Sequence, residues 1–166
     1  MTTYGLLIIG SGPAGVSAAE AYADAGGPGP VALLTADPHA PYERPPLSKN
    51  ALTSPGDVEP TPITEATLPD GVDVRLGATV TAVDLGARTV QVGGETLTFE
   101  RLVVATGSTP LPLPGAEEDA EIHALRSLQD GRDLAAAAQH ARTALVIGSG
   151  FIGCEVAATA RSRGCQ

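Results

Sequence analysis

The chain has 166 residues, 43% of them hydrophobic but only 3% aromatic and none Trp, so its core must be assembled from Ala, Val, Leu and Ile, as in a parallel sheet flanked by helices. A net charge of −9 argues against nucleic acid or an anionic membrane surface as partner, and no apolar run is long enough to span a bilayer. Cys154 and Cys165 form neither a C-x-x-C pair nor a zinc-type cluster, and His39, His123 and His140 lack ligand spacing, so neither a redox disulfide nor a metal is expected.

In chain order, residues 5–10 read as a first strand, 13–25 as its helix and 31–35 as the second strand of a β-α-β unit, with Gly26-Gly27-Pro28-Gly29-Pro30 making the return. The start has no basic n-region and runs directly into this short strand, so the chain is read as cytoplasmic. Residues 36–71 are dense in proline and read as irregular, except for a short helix near 48–52; a loop of that length in a compact domain tends to carry function. Residues 72–76 restore a strand. Alternating stretches at 80–84, 89–92 and 96–99, with turns at Gly86 and Gly93-Gly94, read as a three-stranded antiparallel meander, and 101–105 as a separate buried strand returning to the parallel sheet. The prolines of 109–115 mark a crossing to a new region, and Ser127 caps a helix running to about His140.

One glycine pattern occurs twice: Gly10-Ser11-Gly12-Pro13-Ala14-Gly15 and Gly148-Ser149-Gly150-Phe151-Ile152-Gly153. Each follows an apolar, strand-like run (Leu6 to Ile9, Ala144 to Ile147) and opens an alanine-rich helical stretch, the context a dinucleotide fingerprint requires. The first glycine takes the sharp turn, the second leaves room for a pyrophosphate, and the third lets helix and strand pack closely. The phosphate then meets N–H groups at the positive end of a helix. A single copy also fits a tight turn without a ligand. Two copies point to electron transfer between two nucleotides. The chain reaches Gln166 where the second helix should hand over to a strand, so the second unit is expected as opening pieces only, and the sequence reads as a fragment with domains at 1–112 and 113–166.

Pro41-Tyr42-Glu43-Arg44-Pro45-Pro46-Leu47-Ser48-Lys49, Ala105-Thr106-Gly107-Ser108, Leu125-Arg126-Ser127 and residues 148–157 together resemble the FAD-dependent, NAD(P)H-using ferredoxin reductases of bacterial oxygenase systems, to which the apoptosis-inducing factors are also similar. The resemblance covers essentially the whole chain, and its proline-rich segment is more specific than either glycine loop. It implies an α/β fold: a Rossmann-like FAD-binding domain with a parallel sheet and a meander, then the start of a Rossmann-like NAD(P)-binding domain. It also implies that Gly10, Gly12, Pro13, Ala14 and Gly15 hold the FAD pyrophosphate, and that Arg44, Lys49, Val80, Ala105, Thr106, Gly107 and Arg126 line the FAD. Gly148, Gly150, Ile152 and Gly153 would receive NADH or NADPH. Lys49 and Glu155 would pair beside the flavin, where a lysine stabilises charge arriving with the hydride. The implied electron acceptor is a ferredoxin-like iron–sulfur protein.

One position departs from the family's pattern. An acid that grips the adenosine ribose is expected where this chain has Ala36, and the nearest carboxylate is Asp37, which either takes over the ribose or begins a turn before Pro38. Two other readings stand beside the reductase: a signalling flavoprotein of apoptosis-inducing-factor type, and a non-catalytic truncated module.

Overall fold

The computed structural model describes residues 3–49, 59–63, 68–116 and 121–166. They divide into two compact units, Met1–Glu43 with Pro62–Gly107, and Arg44–Thr61 with Ser108–Gln166.

The first unit is a six-stranded mixed sheet. Strands β1 (Thr3–Ile9), β2 (Val31–Leu34) and β3 (Asp73–Arg75) and the long β6 (Glu95–Val104) run parallel, while β4 (Val80–Asp84) and β5 (Thr89–Val92) add an antiparallel edge, in the order β3-β2-β1-β6-β5-β4. Helix α1 (Pro13–Asp24) joins β1 to β2. In β1, residues 4–8 are buried without a break, as in a parallel strand covered on both faces. Leu6, Ile8 and Leu33 pack with Val16 and Ala19 of α1, whereas Leu7, Ala32 and Leu34 pack with Val90, Val92, Leu97 and Phe99. Each fully buried Leu or Ile contributes about 1.5–3 kcal/mol. A polar network ties three strands together: the Tyr4 hydroxyl donates to Asp73 Oδ2 (2.6 Å), and Arg75 donates to Asp73 Oδ2 (3.0 Å), the Tyr4 hydroxyl (2.9 Å) and Glu95 Oε2 (2.8 Å).

The second unit carries a 3₁₀ turn (Pro45–Ser48) and helices α2 (Leu128–His140) and α3 (Phe151–Ser162). The 3₁₀ turn packs against both helices. Helix α2 starts on a full capping box: Ser127 Oγ accepts from Asp130 N (3.1 Å), and Asp130 Oδ2 accepts from Ser127 N (2.7 Å) and Arg126 N (2.9 Å).

Two expectations about the elements are corrected, and a third lies largely outside the described residues. Residues 96–99 and 101–105 are not separate strands but lie on β6, which continues to Val104, because nothing between Glu95 and Val104 can turn the chain. The short helix expected near 48–52 falls largely outside the described residues, which before residue 50 carry a 3₁₀ turn at Pro45–Ser48. The run Ala144–Ile147 is not in a strand, and Leu145 and Ile147 are 86% and 65% exposed. Parallel pairing begins beside it, with Gln166 N donating to Arg142 O (2.9 Å) and Ala144 N to Gln166 O (3.0 Å).

Candidate functional site

The first glycine loop shows what each of its glycines is for. Gly10 has φ +112°, and a Cβ there would be driven into the Ala105 carbonyl. The loop is clamped from both sides, by Gly10 N to Leu34 O (2.8 Å) and Ala105 N to Ile9 O (2.8 Å). A Cβ on Gly15 would run into the Gly10 carbonyl, so this glycine sets the close approach of α1 to the loop. Gly12 differs, because a Cβ there would meet nothing within 4 Å. Folding demands Gly10 and Gly15; the bare Gly12 instead leaves open space at the start of α1, where Pro13 and Ala14 form an exposed first turn. Gly12 caps α1 in extended backbone (φ −71°, ψ 177°), and no side chain caps the helix. An oxyanion suits such an end, which presents N–H donors and the positive pole of the helix. Behind the loop, the buried Ser11 hydroxyl donates to Thr35 Oγ1 (2.9 Å).

The second loop repeats this geometry. Gly148 has φ +111°, Gly150 caps α3 at φ −74°, ψ 174° with no side-chain cap, and a Cβ on Gly153 would run into the Gly148 carbonyl. Gly150 again has open space around it, and Ile152 is 52% exposed. The capping box of α2 makes the contrast clear: side chains cap that helix, while both fingerprint helices start on a bare glycine.

Among the other residues singled out in the first unit, Ala36 is exposed just past β2, Val80 is half-buried at the start of β4 against the core, Ala105 is half-buried, and Thr106 and Gly107 (φ +71°) are exposed beyond β6. Asp37 is engaged within its own turn. Its Oδ1 accepts from His39 N (3.1 Å) and lies 2.9 Å from His39 Nδ1, and its Oδ2 accepts from the Tyr42 hydroxyl (2.8 Å). Burial pushes the carboxyl up, but the Tyr42 and His39 hydrogen bonds outweigh it and hold Asp37 below the usual carboxylate range.

In the second unit the structure brings Lys49 and Glu155 together across 106 residues of sequence: Lys49 Nζ lies 3.2 Å from Glu155 Oε1 and 3.3 Å from Oε2. The Ser48 hydroxyl donates to Glu155 Oε2 at 2.5 Å. Ser48 first and Lys49 second hold the Glu155 carboxyl below its ordinary value, against a smaller desolvation effect. Arg44 and Arg126 also meet, because Arg44 Nη1 donates to the Arg126 carbonyl, while Arg126 Nε donates to Ser108 O (3.1 Å). Sequence reasoning did not single out Ser48, nor His39 and Tyr42 as partners of Asp37; the signal for Ser48 was its place between the 3₁₀ prolines and Lys49.

The family model described as pyridine nucleotide-disulphide oxidoreductase matches residues 4–166. The chain belongs to this family. Among curated members, it is 38% identical over 159 residues to the ferredoxin–NAD(+) reductase component of the biphenyl dioxygenase system of Paraburkholderia xenovorans (strain LB400), covering 94% of this chain and 39% of that protein. It is 37% identical over 164 residues to rhodocoxin reductase of Rhodococcus erythropolis, covering 96% and 38%. Among solved structures it matches Fdr9 with TM-score 0.84 at 34% identity, covering 99% of this chain and 40% of that one. It also matches the covalent putidaredoxin reductase–putidaredoxin complex with TM-score 0.78 at 29% identity, again covering 99% and 40%. The chain therefore spans about two-fifths of the length of these oxidoreductases. The Rossmann-like first unit with its antiparallel edge fits the fold they share.

Proposed function

We propose that this chain supplies the FAD-binding region and the opening of the NAD(P)-binding region of a flavoprotein that takes a hydride from NADH onto FAD and passes electrons to a ferredoxin-like iron–sulfur carrier. One observation carries the reading: two glycine loops of matching geometry in one chain, each leaving open space where a side chain would otherwise stand at an uncapped helix start. The chain's similarity to several ferredoxin–NAD(+) reductase components supports NADH as donor and an iron–sulfur protein as acceptor. When bound, FAD accepts two electrons as a hydride and releases them singly, which is the chemistry the polypeptide itself lacks.

The residues then have separable tasks. Gly10, Gly12, Pro13, Ala14 and Gly15 present backbone to the FAD pyrophosphate, and Gly148, Gly150, Ile152 and Gly153 do the same for the nicotinamide dinucleotide. Arg44, Val80, Ala105, Thr106, Gly107 and Arg126 are assigned to the FAD on the family resemblance. Lys49 supplies a cation that favours negative charge arriving at the flavin, and Glu155 holds that lysine. Asp37 holds its turn through His39 and Tyr42, with the ribose contact as its second task. The working domain boundary lies near residue 112. No helix among the described residues is long and apolar enough to cross a membrane, and a cytoplasmic site, where the nicotinamide donor is supplied, completes the reading.

The test is anaerobic mixing of the intact FAD-loaded protein with NADH, followed by addition of an oxidised ferredoxin. Rapid bleaching of the flavin and then reduction of the ferredoxin is the expected result. Slow bleaching with a lasting charge-transfer band would move the protein to the signalling class, and absence of bound flavin would overturn the proposal.

A further inference from the structure

Glu155 has two partners, and they constrain it differently. Lys49 is 54% exposed and reaches it through a flexible four-carbon stem, so the ion pair alone fixes the carboxylate weakly. Ser48 is 5% exposed and has one rotatable bond to its hydroxyl. It closes the 3₁₀ turn, whose Lys49 N to Pro46 O bond (3.1 Å) and buried Leu47 hold its backbone in place. Its single hydroxyl hydrogen has two acceptors in reach, Glu155 Oε2 at 2.5 Å and the Pro45 carbonyl at 3.2 Å, and the ionised acceptor is the stronger. Lys49 Nζ also reaches the Pro45 carbonyl (3.4 Å), which gives both donors the same alternative acceptor.

We propose that Ser48 is a positioning residue: its hydroxyl holds the Glu155 carboxylate against Lys49, and frees it by turning its hydrogen to the Pro45 carbonyl. A carboxylate held this way is aimed before the nucleotides arrive, and it can leave Lys49 without stranding a buried hydroxyl. The inference rests on the flavoprotein reading for its effect on hydride transfer, but the contact itself does not depend on that reading. Lys49 is the charged group that faces Glu155 from the 3₁₀ segment. One helical turn away on α3 stand Phe151, Ile152, Ala158 and Thr159, none of which titrates.

The experiment uses the intact FAD-loaded protein with glutamate labelled at the carboxyl carbon, E155Q serving to assign the Glu155 signal. In S48A the Glu155 carboxyl should titrate at higher pH than in wild type. NADH reduction of the flavin should slow by roughly three- to tenfold, the range for one lost hydrogen bond to a partly exposed carboxylate. In an E155A background, S48A should add no further slowing. If S48A fails to fold, S48C, which keeps the volume and weakens the donor, supports the same comparison, and S48T should restore wild-type behaviour. An unchanged Glu155 titration, or equal slowing by S48A with and without Glu155, would overturn the proposal. The titration needs no NADH, so a wild-type protein that NADH does not reduce would fail the functional reading while still reporting on Ser48.

Discussion

Gly12→Val separates the ligand role of the first loop from its folding role. Apart from the adjoining residues, no atom lies within 4 Å of the position a Cβ would occupy, so valine costs the fold about 1 kcal/mol, the N-cap preference for glycine over a β-branched residue. The cofactor meets the same change as an obstruction. A branched side chain in the open space holds a pyrophosphate away from the start of α1 and removes one or two charge-assisted N–H contacts, each worth about 1.5–3 kcal/mol. A loss of about 3 kcal/mol is roughly a hundredfold in affinity. The control is Gly10→Ala, where a left-handed φ of +112° and the Ala105 carbonyl combine to cost the fold roughly 2–5 kcal/mol. Flavin-to-protein absorbance ratio and thermal unfolding of the intact protein provide the two readouts. Gly12→Val should be folded and nearly colourless, and Gly10→Ala should be destabilised. A folded Gly12→Val protein with stoichiometric yellow flavin would refute the assignment.

Gly150→Val, at the equally open position in the second loop, should leave flavin content and melting temperature near wild type and raise the NADH concentration for half-maximal flavin reduction at least tenfold, about 1.4 kcal/mol; loss of flavin instead would put the wrong nucleotide on this loop. Lys49→Met should slow flavin reduction and make the flavin potential more negative with a smaller change in NADH affinity, as checked by anaerobic stopped flow and redox titration; wild-type values of both would reduce Lys49 to a surface residue. Asp37→Ala should destabilise the protein by about 1–3 kcal/mol at neutral pH, more than it weakens FAD binding. Because the folded-state pKa of Asp37 is depressed, that contribution is present above the ordinary carboxylate range and fades as pH falls through the folded value, so the melting-temperature gap to wild type should close in acid. A weakened FAD constant at unchanged melting temperature would give the carboxylate to the ribose. Tyr4→Phe, which removes the hydroxyl shared by Asp73 and Arg75, should cost about 0.5–1.5 kcal/mol in denaturant unfolding; no change would show that water replaces the network.

Much of this was legible in the sequence because local chemistry and final geometry agree. Glycines at fixed spacing after an apolar run predicted both loops, and Ser127 predicted the start of α2. The single strand β6 was read as two because its partners change along its length, antiparallel β5 from Glu95 to Thr98 and parallel β1 from Thr98 to Val104, which alters the burial rhythm without any turn residue. The Ala144–Ile147 run has the apolar character of a strand, but a strand exists only through its neighbours, and pairing here begins and ends at Arg142, Ala144 and Gln166 among the described residues. The turn of Asp37 and the grip of Ser48 on Glu155 depend on side-chain contacts that no periodicity encodes.

Thr98 is where β6 changes partners, since it pairs with Thr89 of antiparallel β5 on one side and with Thr3 of parallel β1 on the other. The first partner is a hairpin's reach away along the chain, whereas the second is 95 residues distant. Hairpins close in about 1–10 μs, while contacts of long sequence separation wait on the entropy of a large loop. The meander is therefore expected to register early, and the half of β6 beyond Thr98 to remain an open edge until β1 arrives from the start of the chain. During synthesis the order is reversed: β1 precedes β6, and its β6-facing edge stays unpaired until the chain has been made as far as Val104.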